Sequence, residues 1–507
     1  MPDTGSVTSV RDRRWLILGV IGLAQLMVVL DLTVMNVALP SAQQALNFTT
    51  ADRQWVVTAY GLAFGSLLLL GGRLADLLGR KITFLIGLVG FAGVSAIGGA
   101  SVNFAMLITA RACQGAFAAL LVPSALSLLT TTFTDPADRG KAFGIFGAIV
   151  GAGGAIGLLL GGVLTGYLSW RWTMYVNLIF AGVAFVGGTA LLERQASPAR
   201  PRLDIPGVAL VSGAVFCLVY GFSNAATHSW HTPSTYGFLA AGEVLASLFA
   251  WWQSEAAHPL LPPRVVLDRN RGGAYLSMLL AAAGLFPTFL FLTYYLQQTL
   301  VYSPLATGIA FLPLSGGLIV AGNLSTIVLM PRLGPKPLVS FGMLAASGGA
   351  VWLAQLGPHT GYPAGVLGPL IIAGVGLGMV IPPVINTGVF GVAPQDAGVA
   401  SATVTVGQQL GASVGTSLLN TIFAGTVATY ITAHLAASRT IGRHALSGLA
   451  QAHGYDIAFW WIAGIFASGA VLSGVVLRPG SLGQKSAASA PRGEITTARA
   501  EDVVRHD

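Results

Sequence analysis

Asp31 and Arg111 are charged residues set deep in apolar stretches of a chain in which only 9% of residues are charged. A carboxylate within a hydrocarbon layer is costly unless it faces water or a partner, so Asp31 is a functional candidate from its placement alone. It lies about seven residues short of the outer end of its apolar run, and Arg111 about six residues past the start of another. At ~1.5 Å per residue both sit roughly 10 Å below one surface, which lets them pair. A carboxylate that alternates between an arginine and an apolar wall changes its proton affinity, and so can load a proton on one side and release it on the other. A static hydrogen-bond bridge between helices is the other role open to Asp31, and that of a plain counter-ion is open to Arg111. Glu243 is the second acid well inside an apolar run; snorkelling or contact with a neighbour competes there with a substrate role. Asn36, Gln114, Tyr294, Gln297, Gln408 and Gln409 are candidates for lining a cavity, with interhelical hydrogen bonding as the alternative.

Catalysis is not indicated. An HExxH pair, twin intramembrane aspartates, a Ser/His arrangement and a Walker loop are all missing from the sequence, which argues against an intramembrane enzyme or an ATP-driven pump. Rings of charge or a filter-like loop, as a channel would use, are not found either. Cys113 and Cys217 lie in apolar runs without zinc spacing, so neither a metal nor a disulfide is expected. No cofactor is implied.

The elements that must position these residues follow from composition. Hydrophobic residues make up 54% of the 507, against 9% charged, where soluble domains carry about 25% charged. Spans of about 20 apolar residues are needed to cross a bilayer. They occur near 15–38, 54–72, 82–101, 105–129, 142–167, 173–192, 205–224, 235–253, 273–298, 306–329, 337–356, 364–390, 398–429 and 456–477, fourteen in all. With both ends inside, 21 Lys and Arg fall on the inner side and four on the outer, a bias expected of inner loops. The net charge of +8 is spread over these short turns rather than gathered in a patch, so no nucleic-acid partner is expected. The first dozen residues and the tail after Leu477 are polar and rich in small residues, as in disordered segments.

The turn after the second span reads GRLADLLGRK (Gly72–Lys81), and the turn after the tenth reads LMPRLGPKP (Leu329–Pro337). Aligning Gly79-Arg80-Lys81 with Gly334-Pro335-Lys336 sets Asp76 opposite Pro331. This is the weak trace of a repeat, and repeated halves with a site between them are the usual build of secondary transporters.

GRLADLLGRK resembles the loop signature of the major facilitator superfamily. LDLTVMNVALP (Leu30–Pro40) resembles the signature of its fourteen-helix drug:proton antiporter branch, and RACQG (Arg111–Gly115) is similar to the superfamily's Arg motif. In the fifth span Gly144, Gly153, Gly157, Gly161 and Gly162 stand at the spacing of the antiporter glycine motif, with Leu158 where that motif has proline. DIPG (Asp204–Gly207) and the run Gly398–Gly415 are also like this branch.

The resemblance implies an all-α membrane protein of fourteen transmembrane helices: two pseudo-symmetric six-helix bundles, 15–192 and 273–477, with two inserted helices at 205–253 and inner tails at 1–14 and 478–507. It implies a monomeric proton antiporter in a bacterial cytoplasmic membrane, exporting lipophilic drugs or antibiotics. A proton-linked transporter of another metabolite, in either direction, is the rival on the same fold. Asp31 and Arg111 would couple protons. Gly72, Asp76, Gly79 and Arg80 would form a conformational gate, with Asp76 at the N-terminus of the thirteenth span, where a helix dipole favours a carboxylate. The fifth-span glycines line one helix face and permit close packing or a bend.

Overall fold

The computed structural model describes residues 4–48, 53–193, 203–227, 230–357, 360–434 and 442–480. It is helical throughout the described residues. The first group comprises α1 (Thr4–Leu46), α2 (Arg53–Leu78), α3 (Arg80–Gly99), α4 (Phe104–Thr132), α5 (Pro136–Tyr167) and α6 (Trp172–Leu191). Next come α7 (Ile205–Thr227), α8 (Pro233–Glu255) and the short α9 (Pro263–Val266). The last group begins with α10 (Arg269–Tyr294), extended by a π-turn at Tyr295–Thr299, then α11 (Pro304–Ala310) and α12 (Leu312–Leu324). A second π-turn at Ser325–Leu329 leads into α13 (Met330–Leu333). The remaining helices are α14 (Pro335–Leu353), α15 (Tyr362–Gly365), α16 (Leu367–Val389), α17 (Ala397–Ala433) and α18 (Arg443–Val476). Eleven helices among the described residues are long and apolar enough to cross a membrane.

Local chemistry sets the helix ends. The Asp204 carboxylate accepts the Gly207 N–H at 2.9 Å and starts α7, which accounts for the DIPG run. Asp268 accepts the N–H groups of Asn270 and Arg271 at the start of α10. Ser303 accepts the Ala306 N–H, with Pro304 in the first turn of α11. At Gly79 and Gly334, the two positions aligned above, φ is 92° and 77°. That left-handed backbone favours glycine and turns the chain from α2 into α3 and from α13 into α14.

Two expectations about ends are corrected. Of the segment read as a disordered tail, residues 4–12 are the first turns of α1, which begins at Thr4, and residues 1–3 lie outside the described residues; residues added to an existing helix no longer bear the cost of nucleation. The fourteenth apolar segment also begins earlier, since α18 starts at Arg443 rather than near 456. The tail from 481 onward lies outside the described residues.

Helices of the first group pack on one another, α2 and α3 on α4, and α1 on α5 and α6. In the last group α14 packs on α16 and α18, and α10 on α16, α17 and α18. The two groups meet along α2–α17 and along α5 with α12 and α16. Helices α7 and α8 pair, and α7 rests on α2 and α17 through a core that includes Leu62, Leu69, Val211, Val215 and Val399. Association in lipid depends on close backbone approach more than on burial from water. The α2–α17 contact shows this: a Cβ on Gly72 would stand 2.5 Å from the Gly398 carbonyl oxygen.

Candidate functional site

Five helices converge on Asp31. Helix α4 presents Arg111 and Gln114 three residues apart, hence on one face; α1 brings Asp31, α2 Tyr60, α3 Ser95 and α6 Asn177. The Arg111 guanidinium donates to Asp31 Oδ2 at 2.5 Å, to Gln114 Oε1 at 2.9 Å and to the Val56 carbonyl at 3.2 Å. Asp31 Oδ1 accepts from Asn177 Nδ2 at 2.7 Å and from Gln114 Nε2 at 3.2 Å. Gln114 Nε2 also donates to Ser95 Oγ at 2.7 Å. The Tyr60 ring lies against the guanidinium face, 4.5 Å from its carbon, a cation–π contact. Asp31 is 2% exposed, and Arg111, Gln114, Ser95, Asn177 and Tyr60 are fully buried. The Tyr60 hydroxyl and Asn177 Oδ1 are buried without a hydrogen-bond partner.

An ion pair this deep is sustained by the donors around it, because attraction alone rarely offsets the loss of hydration. The arrangement can hold a charged pair out of water, or hold neutral Asp31 beside a lone guanidinium once a proton arrives. Gln114, anticipated as a cavity wall, is part of this cluster. Ser95, Asn177 and Tyr60 are further members. Asn177, the one carboxamide in the apolar helix α6, carries a sequence signal of the same kind as Asp31.

A second assembly joins the two groups at their Arg-rich end. Asp76 is buried and accepts the Gly398 N–H at 3.1 Å, at the first turn of α17. Arg80 donates to Ser127 Oγ at 2.7 Å, and Arg264 pairs with Asp396, one residue before α17, at 2.9 Å. Arg139, at the start of α5, donates to Asn386 Oδ1 at 3.2 Å and to the Val389 carbonyl at 3.4 Å, at the C-terminus of α16. It lies 5.5 Å from the ring centroids of Phe143 and Phe390. Burial pushes the Arg139 guanidinium down to about 10, still protonated at neutral pH. Sequence reasoning did not single out Arg139, since a basic residue in a loop is ordinary.

The glycines of α5 serve two seams. Gly153 faces Val29 of α1, where a Cβ would approach Val29 Cγ1 to 2.6 Å, and Gly161 faces Val34 at 3.1 Å. Gly157 faces Thr33 on the same seam. Gly144 instead faces Thr326 Oγ1 at 2.7 Å, and Gly147 faces Pro382 at 2.5 Å, both in the last group. Gly162 borders open space. The Leu158 side chain lies outside the described residues.

The other candidates stand apart from Asp31. Glu243 is exposed on α8, which packs on α7. Asn36 and Gln297 are exposed and Tyr294 is half-buried. Gln409 lies against Gly61 and Gly65 of α2, in the α2–α17 contact, and Gln408 is half-buried beside it.

Residues 21–416 match the Major Facilitator Superfamily. The chain belongs to that superfamily. It is a multi-pass membrane transporter and not an enzyme. It is 44% identical over 467 residues to the puromycin resistance protein pur8 of Streptomyces alboniger, covering 92% of each chain. It is 40% identical to the cephamycin export protein CmcT of Amycolatopsis lactamdurans, covering 79% of this chain and 83% of that one. With the tetracenomycin C resistance and export protein of Streptomyces glaucescens the identity is 34%, covering 83% and 78%. The fold is similar to that of the human organic anion transporter MFSD10 (TM-score 0.61, 16% identity), covering 91% of this chain and 99% of that one.

Proposed function

We propose that the chain is a proton-driven exporter of small lipophilic antibiotics, with Asp31 and Arg111 as its coupling pair. The observation that carries this reading is the Asp31–Arg111 contact, an acid and its counter-ion sealed together among neutral donors. Protonation of Asp31 frees Arg111, and a buried cation that has lost its partner strongly favours rearrangement of the helices that hold it. Asp31 stands on α1 beside the Gly153–Gly157–Gly161 seam of α5, whose other end packs on α12 and α16. A change at Asp31 is thereby coupled through α5 to the last group.

Fourteen crossings with both termini cytoplasmic fit the charge bias, which sets the Asp76–Gly398 latch and the Arg139 clamp on the cytoplasmic side. Two six-helix bundles related by a repeat fit the matched left-handed glycines. The chain acts as a monomer in a bacterial cytoplasmic membrane, and its relatives make puromycin the first substrate to test.

The test uses inside-out vesicles with an imposed pH gradient. Puromycin uptake into them is expected to follow the gradient, and Asp31→Asn to abolish it while membrane insertion is retained. Accumulation indifferent to the gradient, or full transport by Asp31→Asn, would overturn the coupling assignment.

A further inference from the structure

Every donor that faces Asp31 serves its ionised form. Arg111 donates to Oδ2 at 2.5 Å, and Asn177 and Gln114 donate to Oδ1 at 2.7 and 3.2 Å. A protonated carboxyl needs the reverse, because its O–H is itself a donor, and a buried donor without an acceptor is costly. The oxygen that takes the proton is Oδ1, since the guanidinium holds Oδ2 and opposes further positive charge there. Arg111 of α4 and Tyr60 of α2 are the titratable groups at Asp31. Helices α3 and α6 present the neutral Ser95 and Asn177, and α5 meets α1 through glycines.

Most acceptors of the cluster are taken. The Val56 carbonyl and Gln114 Oε1 accept from Arg111, and Ser95 Oγ accepts from Gln114 Nε2. Two buried oxygens have no partner, Asn177 Oδ1 and the Tyr60 hydroxyl. Tyr60 meets the cluster through its ring, which lies against the guanidinium. Asn177 stands at Asp31 Oδ1 itself, with its nitrogen on that oxygen and its own oxygen unused.

A half-turn about the Cβ–Cγ bond exchanges the two ends of a carboxamide without changing its shape. For Asn177 the turn sets an acceptor where the donor stood, and its oxygen gives up no bond in turning. The long 3.4 Å contact from Nδ2 to Ser95 is released as well, and the Ser95 hydroxyl can then donate to the oxygen in its place. Gln114 has no such freedom. Its Oε1 accepts from Arg111 and its Nε2 donates to Ser95, so a half-turn would aim N–H groups at the guanidinium.

We propose that Asn177 is the hydrogen-bond partner of Asp31 in both proton states. It donates through Nδ2 to the carboxylate and, after a half-turn, accepts the O–H of the acid through Oδ1. The proton rests on Asp31 Oδ1, and Asn177 neither gains nor loses one. Asp31 thus stays paired throughout, and the imbalance a proton creates is concentrated on Arg111. The purpose of this arrangement rests on the coupling role proposed for Asp31; the hydrogen bond itself does not.

Infrared difference spectra of the full-length protein in lipid, taken between alkaline and acid pH, test the assignment. They report the carbonyl stretch of protonated Asp31, identified as the band that Asp31→Asn removes. The band is expected at the frequency of an acid that donates a hydrogen bond, and to move upward in Asn177→Leu, which has similar bulk and no acceptor. Tyr60→Phe is expected to leave it in place. Gradient-driven puromycin transport is expected to fall at least tenfold in Asn177→Leu. A band that Asn177→Leu leaves unmoved overturns the proposal, and a shift in Tyr60→Phe assigns the O–H to Tyr60 instead. A wild-type band at the frequency of a free O–H also overturns it, and needs no variant at Asn177 to fold. If Asp31→Asn removes no band, the proposal and the coupling role fail together. The expected band shifts in a protein whose transport ignores the gradient would remove the coupling role alone.

Discussion

The Arg111 guanidinium donates to three oxygens and carries the Tyr60 ring on its face, so every element around it contributes to keeping a full charge dry. Within that cluster the donors are not equivalent. Asn177 holds Asp31 Oδ1 at 2.7 Å, and its removal leaves that oxygen to Gln114 alone. Asn177→Ala is expected to cost about 1–3 kcal/mol, read as a lower melting temperature in detergent. Tyr60→Phe should behave in the opposite sense. Its hydroxyl is buried with no partner, so its loss is expected to be neutral or to stabilise by about 1 kcal/mol, while Tyr60→Leu, which removes the ring from Arg111, destabilises. A large loss in Tyr60→Phe would mean that the hydroxyl is bonded after all. Asp31 and Arg111 were legible in the sequence because a charge in an apolar run is conspicuous and helix rise fixes its depth. Ser95 and Tyr60 were not, because a lone hydroxyl in a span is common and only packing decides what it faces.

At the scale of helices, contact between the two groups uses both helix dipoles. Asp76 sits at the N-terminus of α17, and Arg139 reaches the C-terminal carbonyl of α16; each charge matches the sign of the end it meets. The repeat alignment sets Pro331 opposite Asp76, so an acid of this kind is missing from the second turn, and Arg139 supplies a contact of reversed polarity on the α5 side. Arg139→Gln is expected to loosen this clamp. Spin labels on α5 and α16 would then show an added longer distance, and an unchanged distribution would deny it a clamping role. Gly72→Val should part α2 from α17 in the same way, since even a Cβ meets the Gly398 carbonyl oxygen at 2.5 Å. The Asp76 contact could be anticipated from the family resemblance, with which the dipole of a helix end agrees. The division of the α5 glycines between two seams could not, because spacing says which residues share a face and not which neighbour that face meets.

For the molecule as a whole, α7 bridges both groups through α2 and α17, and so spans the seam between them. Its foot is Asp204. Burial raises the affinity of that carboxyl for a proton, but donors from Gln253, Gly207, Trp252 and Leu260 outweigh it and hold Asp204 below its ordinary range. The contribution of such a lowered acid is present above the unfolded value, about 3.9, and is lost as pH falls through the folded one. Melting temperature is thus expected to fall below about pH 4, and Asp204→Asn to be less stable at neutral pH with a flatter acid limb. The all-helical membrane fold was legible from hydropathy, whereas the extension of α1 back to Thr4 was not, since polar residues continue a helix without announcing it.

The exposure of Arg264 separates two kinds of ion pair by how the medium reaches them. Its side chain is 66% exposed opposite Asp396, whereas both partners of the Asp31–Arg111 pair are 1% exposed. Dissolved ions screen the first and scarcely touch the second. Raising ionic strength should therefore ease the clasp at the head of α17 and leave the deep pair intact, so that spin-label distances across α9–α17 lengthen with added salt while those across α1–α4 hold. A transporter built this way would take its resting posture, in part, from the saltiness of the solution at its Arg-rich end.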